Sequence, residues 1–356
     1  MKPRRYQPAK TLAWDGTTFR DLDDNSGGRL LVKTNSRFQN IGVEMGEYLP
    51  GATFKLVFPD NPRGYFGPGN AVLMTINSQG LRGDEVTQQK PAGTYRILGI
   101  GDSFAFGEGV KDEDTFLHRL QVRLNTNGSG PRYQVLNAGV QGYNTRDEVI
   151  NLEYRWASFQ PDLVIIVFYI NDAYRDTTIL NRGQELGIYD MPTGLAKCSY
   201  LWDIAQHRYR SYHAAKEVEN FYQMQYFSDP KTFFDSPGTF RVDWPVCAAS
   251  LERATQIAQK HKFRLGLVMF PELYKLKHGY PFERIHQLVG ETCGRLNIPF
   301  LDLLDTFRGR GPESLWVHPS NHHPNEIAHA LAETAIERFV RENYLSSSAS
   351  EPVSSR

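Results

Sequence analysis

The segment "LGIGDSFAFGEGV" (98–110) closes a short apolar run with glycine and then places a serine, Ser103, in what reads as a strand-to-helix turn. A hydroxyl at that point projects beyond the edge of a sheet. Its own N–H points toward a ligand with others of the helix N-terminus, so negative charge that develops nearby is stabilised. A serine in such a turn also serves as an ordinary helix cap. Two phosphate-binding readings are excluded by residue type. A dinucleotide fingerprint needs its third glycine where Phe104 stands, and no Gly-Lys-Ser/Thr of a P-loop is present. Three more polar clusters follow apolar runs in chain order. "LNAGVQGYNT" (136–145) offers Gly139 and Gly142, "VFYIND" (167–172) offers Asn171, and "WVHPSNHHPNEIAHALAE" (316–333) offers His323. The last holds four histidines, His318, His322, His323 and His329, which invites a metal reading. The HExxH spacing is absent, however, and no carboxylate or cysteine completes a recognisable ligand set.

Taken together and in this order, the four blocks resemble those of the SGNH/GDSL hydrolase family, over about residues 95–345. The resemblance implies a serine esterase that needs no cofactor. In it Ser103 is the nucleophile that attacks an ester carbonyl and His323 is the general base. The oxyanion hole is implied to consist of the Ser103 N–H, a glycine N–H and the Asn171 side chain; Gly142 is the better positional match for the glycine, and Gly139 stays open. Two departures from the family pattern stand out. Tyr169 occupies a place usually held by glycine, which narrows the pocket there. The histidine is usually preceded by an aspartate at two or three residues, and here those positions are Asn321 and Ser320. An Asn321 carbonyl can still accept the imidazole N–H and orient the ring, but it brings no full negative charge. In a serine protease the corresponding Asp-to-Asn change costs about 10⁴ in turnover. Three outcomes remain open at this stage: a Ser–His dyad oriented by Asn321, an acid supplied from elsewhere in the chain, or a slow enzyme. Asp302 and Asp305 follow the last strand as candidate acids, with nothing in the sequence to bring them to His323.

The elements that must position these residues alternate. "YRILGIG" (95–101), "YQVLNAGV" (133–140), "DLVIIVFYI" (162–170), "FRLGLVMF" (263–270) and "IPFLDLL" (298–304) read as strands, the third apolar throughout as a covered central strand is. Between and after them, helical spacing appears at 115–124, 146–156, 247–261, 281–296 and 324–342, the last expected to begin at Pro324. Alternation of this kind predicts a parallel sheet with helices on both faces, with ligands beyond the carboxyl ends of the strands. With the resemblance, the expected fold is α/β: a flavodoxin-like three-layer α/β/α sandwich with a five-stranded parallel sheet. Residues 1–92, rich in turn formers with short alternating runs, are expected to be a β-rich N-terminal extension. Residues 93–345 form the expected hydrolase domain, with an irregular, aromatic-rich insertion at about 173–245, and 346–356 a disordered tail.

Lys+Arg and Asp+Glu are equal at 40 each, and no charge run appears, so no nucleic-acid footprint is expected. Cys198, Cys247 and Cys293 are widely spaced without a CxxC, which indicates neither a zinc knuckle nor a disulfide framework. No run of about 18 apolar residues occurs and no apolar stretch follows Arg4-Arg5, so no membrane span or signal is read, and a cytoplasmic location is the default expectation. The expected substrate is a small-molecule or carbohydrate ester, with O-acetyl or other short acyl groups in view. Two other functions remain: O-acyl transfer to a sugar hydroxyl, with Tyr200, Trp202, Tyr209 and Tyr212 stacking on sugar rings, and a non-catalytic carbohydrate-binding protein on a degenerate hydrolase scaffold.

Overall fold

The five apolar runs read as strands form one parallel sheet in a computed structural model, which describes residues 9–21, 32–34, 46–126, 130–173, 243–280 and 282–346. The expected insertion and tail lie almost wholly outside the described residues. Six short strands come first in the chain: β1 (Lys10–Trp14), β2 (Phe19–Asp21), β3 (Val32–Thr34), β4 (Gly46–Tyr48), β5 (Thr53–Val57) and β6 (Ala71–Thr75). Four of them make an antiparallel sheet in the order β2-β1-β5-β6, and β3 pairs with β4. Alternation drives this sheet: Phe54 and Leu56 on β5, and Val72 and Met74 on β6, are buried, while their sequence neighbours are not.

The central sheet contains β7 (Thr94–Gly101), β8 (Arg132–Gly139), β9 (Leu163–Phe168), β10 (Arg264–Met269) and β11 (Phe300–Asp302) in the order β11-β10-β9-β7-β8. Numbered within the sheet, that is the 2-1-3-4-5 order of flavodoxin-like folds. Helices α1 (Ser103–Phe106), α2 (Phe116–Asn125), α3 (Thr145–Tyr154), α4 (Trp244–His261), α5 (Glu283–Leu296), α6 (Leu304–Phe307) and α7 (Glu326–Val340) cover it. Every residue of β9 is buried, as its unbroken apolar run requires. Because β8 lies on one side of β7 and β9 on the other, the chain parts in opposite directions there. A crevice opens at the carboxyl ends of these strands.

A second core joins the two sheets. Tyr48, Phe54, Val72 and Met74 of the N-terminal strands pack with Phe106 of α1, with Val110, Val140 and Tyr143 of the loops at the carboxyl edge of the central sheet, and with Val317 from the last block of the chain. The N-terminal strands therefore rest on the crevice end of the sandwich.

The final helix corrects the expectation that it begins at Pro324. Residues Trp316–His318 (β12) and Asn321–Pro324 (β13) pair as an antiparallel hairpin, and α7 starts at Glu326. The cause is Asn325. Its backbone is extended, and its side-chain carbonyl accepts from the N–H groups of Ile327 and Ala328, both at 3.0 Å, so the helix is capped there. Among the described residues no helix is long and apolar enough to cross a membrane.

Candidate active site

Ser103 opens α1 directly after β7. Asp102 caps this turn, its carboxylate accepting from Phe104 N at 2.8 Å. That carboxyl is wholly buried, and burial raises its pKa, opposed by hydrogen bonds from Phe104 N–H and the Asn171 side chain. Ser103 itself is 5% exposed, so its hydroxyl faces a confined space rather than bulk water. The loop that follows α1 is held by Arg82. Its guanidinium donates to the carbonyls of Phe106 and Gly107, each at 2.5 Å, to that of Val110, and to Asp112 at 2.9 Å.

His323 approaches from β13. Its Nε2 lies 2.8 Å from Ser103 Oγ, and its Nδ1 lies 2.7 Å from Asn321 Oδ1, which also accepts from the His323 backbone N–H at 3.1 Å. The fold thus brings together a hydroxyl and an imidazole 220 residues apart in sequence, with Asn321 on the far nitrogen. Ser103 Oγ is also 3.4 Å from Asp102 Oδ2, a much longer contact than that to the imidazole.

Asn171 sits in a single turn, Ile170–Ala173, after β9, and donates from its side chain to Asp102. Gly142 lies in the loop after β8 with φ +80°, a left-handed conformation that glycine adopts without strain. Gly139 serves packing: a Cβ there would stand 2.3 Å from Phe106 N. Tyr169, in the place of the expected glycine, stacks on Phe104 with ring centroids 3.8 Å apart and donates to Glu272. Phe104 in turn faces the His323 ring at 5.5 Å, so the Tyr169 ring borders the same crevice.

The two candidate acids at the end of β11 and just beyond it do not reach His323. Asp302 accepts from Leu304 N and pairs with His286, both at 2.8 Å, and Asp305 pairs with Arg308 at the surface. The four histidines of the last block diverge. His318 meets Asp60 and Ser320, each at 2.7 Å; His322 stacks on Trp316; His329 is buried against Phe116, its Nδ1 accepting from Phe116 N, and burial drives its pKa down to about 3. Cys247 and Cys293 are buried free thiols, and Cys198 lies outside the described residues.

One carboxylate beside the histidine was not anticipated. Glu108 Oε1 lies 3.5 Å from His323 Nδ1 and accepts from Asn321 Nδ2 at 2.8 Å. It belongs to the segment 98–110 that holds Ser103, but a glutamate in "GEGV" gives no sign of facing a residue more than 200 positions away.

The family model described as "GDSL-like Lipase/Acylhydrolase family" matches residues 100–331, well over half of the chain. The chain belongs to the GDSL-like lipase/acylhydrolase family. The family is described as one of lipases and acylhydrolases. The N-terminal strands that rest on the crevice precede the matched segment. No curated protein matches the sequence. Among solved structures, the protein is similar to a two-domain esterase active on acetylated mannans (16% identity, 70% of this chain and 49% of that one, TM-score 0.42). It spans about half the length of that esterase. It is also similar to an acetyl xylan esterase (14% identity, 69% of this chain and 99% of that one, TM-score 0.43) and to an acetylxylan esterase from Geobacillus stearothermophilus (14% identity, 69% and 94%, TM-score 0.41).

Proposed function

We propose that this GDSL-like hydrolase cleaves carboxylic esters through an acyl-enzyme on Ser103, with His323 as general base. The observation that carries this reading is the 2.8 Å contact between His323 Nε2 and Ser103 Oγ. As Oγ attacks the ester carbonyl carbon, its proton passes to Nε2. The carbonyl oxygen takes the negative charge and is held by the N–H groups of Ser103 and Gly142 and by the Asn171 amide. The imidazolium then gives its proton to the departing alcohol. Water, deprotonated by the same nitrogen, attacks the acyl carbon and releases the acid and free Ser103. Removing one oxyanion donor typically costs about 10²–10³ in turnover, so Asn171 is expected to matter less than Ser103.

The substrate reading follows from the crevice wall. Tyr169, stacked on Phe104, puts a ring where the family pattern has glycine, which favours short acyl groups such as acetyl. A carbohydrate as the alcohol part belongs to the same proposal. The test is labelling with a fluorophosphonate probe together with hydrolysis of p-nitrophenyl acetate. Wild-type protein is expected to label and turn over, and Ser103→Ala to do neither. Equal labelling of the two proteins would remove Ser103 from the mechanism.

A further inference from the structure

Hydrogen bonds run in one line from the N-terminal strands to the nucleophile. Tyr48 Oη donates to Gln141 Oε1 at 2.8 Å. Gln141 Nε2 donates to Glu108 Oε2 at 2.5 Å, and Asn321 Nδ2 donates to Glu108 Oε1 at 2.8 Å. Asn321 Oδ1 then faces His323 Nδ1 at 2.7 Å, and His323 Nε2 faces Ser103 Oγ at 2.8 Å. Every amide in such a line can point either way on its own, and every neutral imidazole has two tautomers. One group in the line has no such freedom. An ionised carboxylate only accepts, so Glu108 obliges both flanking amides to turn their NH₂ groups toward it. Gln141 must then present its oxygen to Tyr48. Burial raises the pKa of that phenol, so it keeps its proton and donates. Asn321 must present its oxygen to His323.

We infer that Glu108 is the positioning acid of this site, acting through Asn321 in place of the aspartate that the family pattern puts beside the histidine. This rests on the acyl-transfer reading above. With Asn321 Oδ1 fixed toward the ring, the tautomer carrying its proton on Nδ1 is selected, and the Nε2 lone pair is left to receive the Ser103 proton. When that proton arrives, Nδ1–H stays on the ring and is shared with Asn321 Oδ1. Glu108 takes no proton. Its charge, with Oε1 3.5 Å from Nδ1, stabilises the imidazolium that forms. Side chains of Glu108 and His323 are 16% and 15% exposed, so water screens this attraction only in part.

The line also specifies its own test. In Glu108→Gln, one acceptor oxygen faces two NH₂ donors, so one link of the line is lost, the charge near Nδ1 disappears, and the Asn321 orientation rests on the His323 backbone N–H alone. In the double variant Glu108→Gln/Asn321→Asp, the NH₂ of residue 108 donates to the carboxylate at 321. The oxygen at 108 accepts from Gln141, and the carboxylate receives Nδ1–H directly. All links persist and the charge moves one residue closer. On p-nitrophenyl acetate, Glu108→Gln is expected to lose roughly 10²-fold in kcat with KM changed by no more than about twofold. The double variant is expected to recover at least about tenfold of that loss. Wild-type kcat in a folded Glu108→Gln protein, or a folded double variant no better than the single one, would overturn the assignment. Nitrogen NMR of the wild-type imidazole gives an answer independent of any variant: His323 is expected as the Nδ1–H tautomer, and the opposite tautomer refutes the proposal. Failure of the underlying serine mechanism would look different, because Ser103→Ala would then hydrolyse the ester at the wild-type rate.

Discussion

Ser103 and His323 meet at one hydrogen bond, but the two halves of the site are built differently. The serine half is placed by main chain. β7 pairs on both sides, with β8 and β9, and its last six residues are buried. The turn that follows is capped by the residue next to the serine. The histidine half rides on a hairpin of three and four residues at the edge of the sandwich. Side chains from the N-terminal segment hold that hairpin: Asp60 pairs with His318 at 2.7 Å, and Arg63 donates to the Val317 carbonyl at 3.2 Å and to Glu326 at 2.7 Å. Phe58 and Phe66 pack near the His318 ring. Disturbance of the first half should therefore register as lost stability. Disturbance of the second should register as lost turnover if His323 acts as proposed, because a small displacement of its ring ruins a hydrogen bond that the fold itself does not need.

The largest effect expected from this contrast is that of His318→Leu. The apolar volume between Phe58 and Phe66 is kept, while the bonds to Asp60 and Ser320 are lost. A displacement of about 1 Å remote from the reacting atoms can cost roughly 10² in rate. We expect kcat/KM on p-nitrophenyl acetate to fall by about that factor in a protein that still melts cooperatively. Undiminished turnover would mean that the hairpin needs no help from Asp60.

Gly99→Ala probes the other half. A Cβ at this position in β7 would lie 2.6 Å from Leu117 Cδ1 of α2, so Leu117 must give way. Overpacking of this kind costs about 1–3 kcal/mol, so the melting temperature should drop by several degrees. Below the transition, kcat is expected to stay within about twofold of wild type. A collapse of kcat without loss of thermal stability would erase the distinction between the halves.

The same contrast explains what the sequence reveals. β9 is an uninterrupted apolar run, β7, β8 and β10 carry shorter apolar stretches, and the serine block is contiguous, so the sheet and Ser103 are readable from local pattern. The hairpin is not: "WVH" and "NHHP" carry no strand alternation, and Pro324 is an inviting helix start until Asn325 is seen to cap α7. Alternation in residues 52–59 and 70–77 announces strands, but their grip on the hairpin depends on Asp60 and His318, which are 258 residues apart. Glu108 is hidden in the same way. Its identity is local, whereas its partner Asn321 is 213 residues distant, and no periodicity encodes a contact of that kind.

The smallest effect expected belongs to the serine half alone and concerns pH. Three carboxyls gather under the crevice floor: Asp102 after β7, Glu148 on α3 and Asp172 after β9, all buried. Burial raises the pKa of each, and the charges of Glu148 and Asp102 push Asp172 further. For Glu148 a hydrogen bond with Asp172 opposes the burial and the charges of Asp102 and Asp147 add to it, so that Glu148 reaches about 8 from an ordinary 4.5. The sign follows from proton counting. Between pH 4.5 and about 8 the unfolded chain has released the Glu148 proton and the folded chain still holds it, so stability falls as pH rises through that window and levels off above it. Glu148→Gln keeps the shape, and its amide can donate to Asp172 while removing this titration. The variant is expected to melt close to wild type at pH 4.5 and a few degrees above it at pH 8, with a flatter slope between. Asp102 and Asp172 leave a residual slope of the same sign in both proteins. Parallel melting-temperature profiles for wild type and variant would show that Glu148 is already ionised in the folded protein. The acid cluster would then have to be compensated by charge rather than by retained protons.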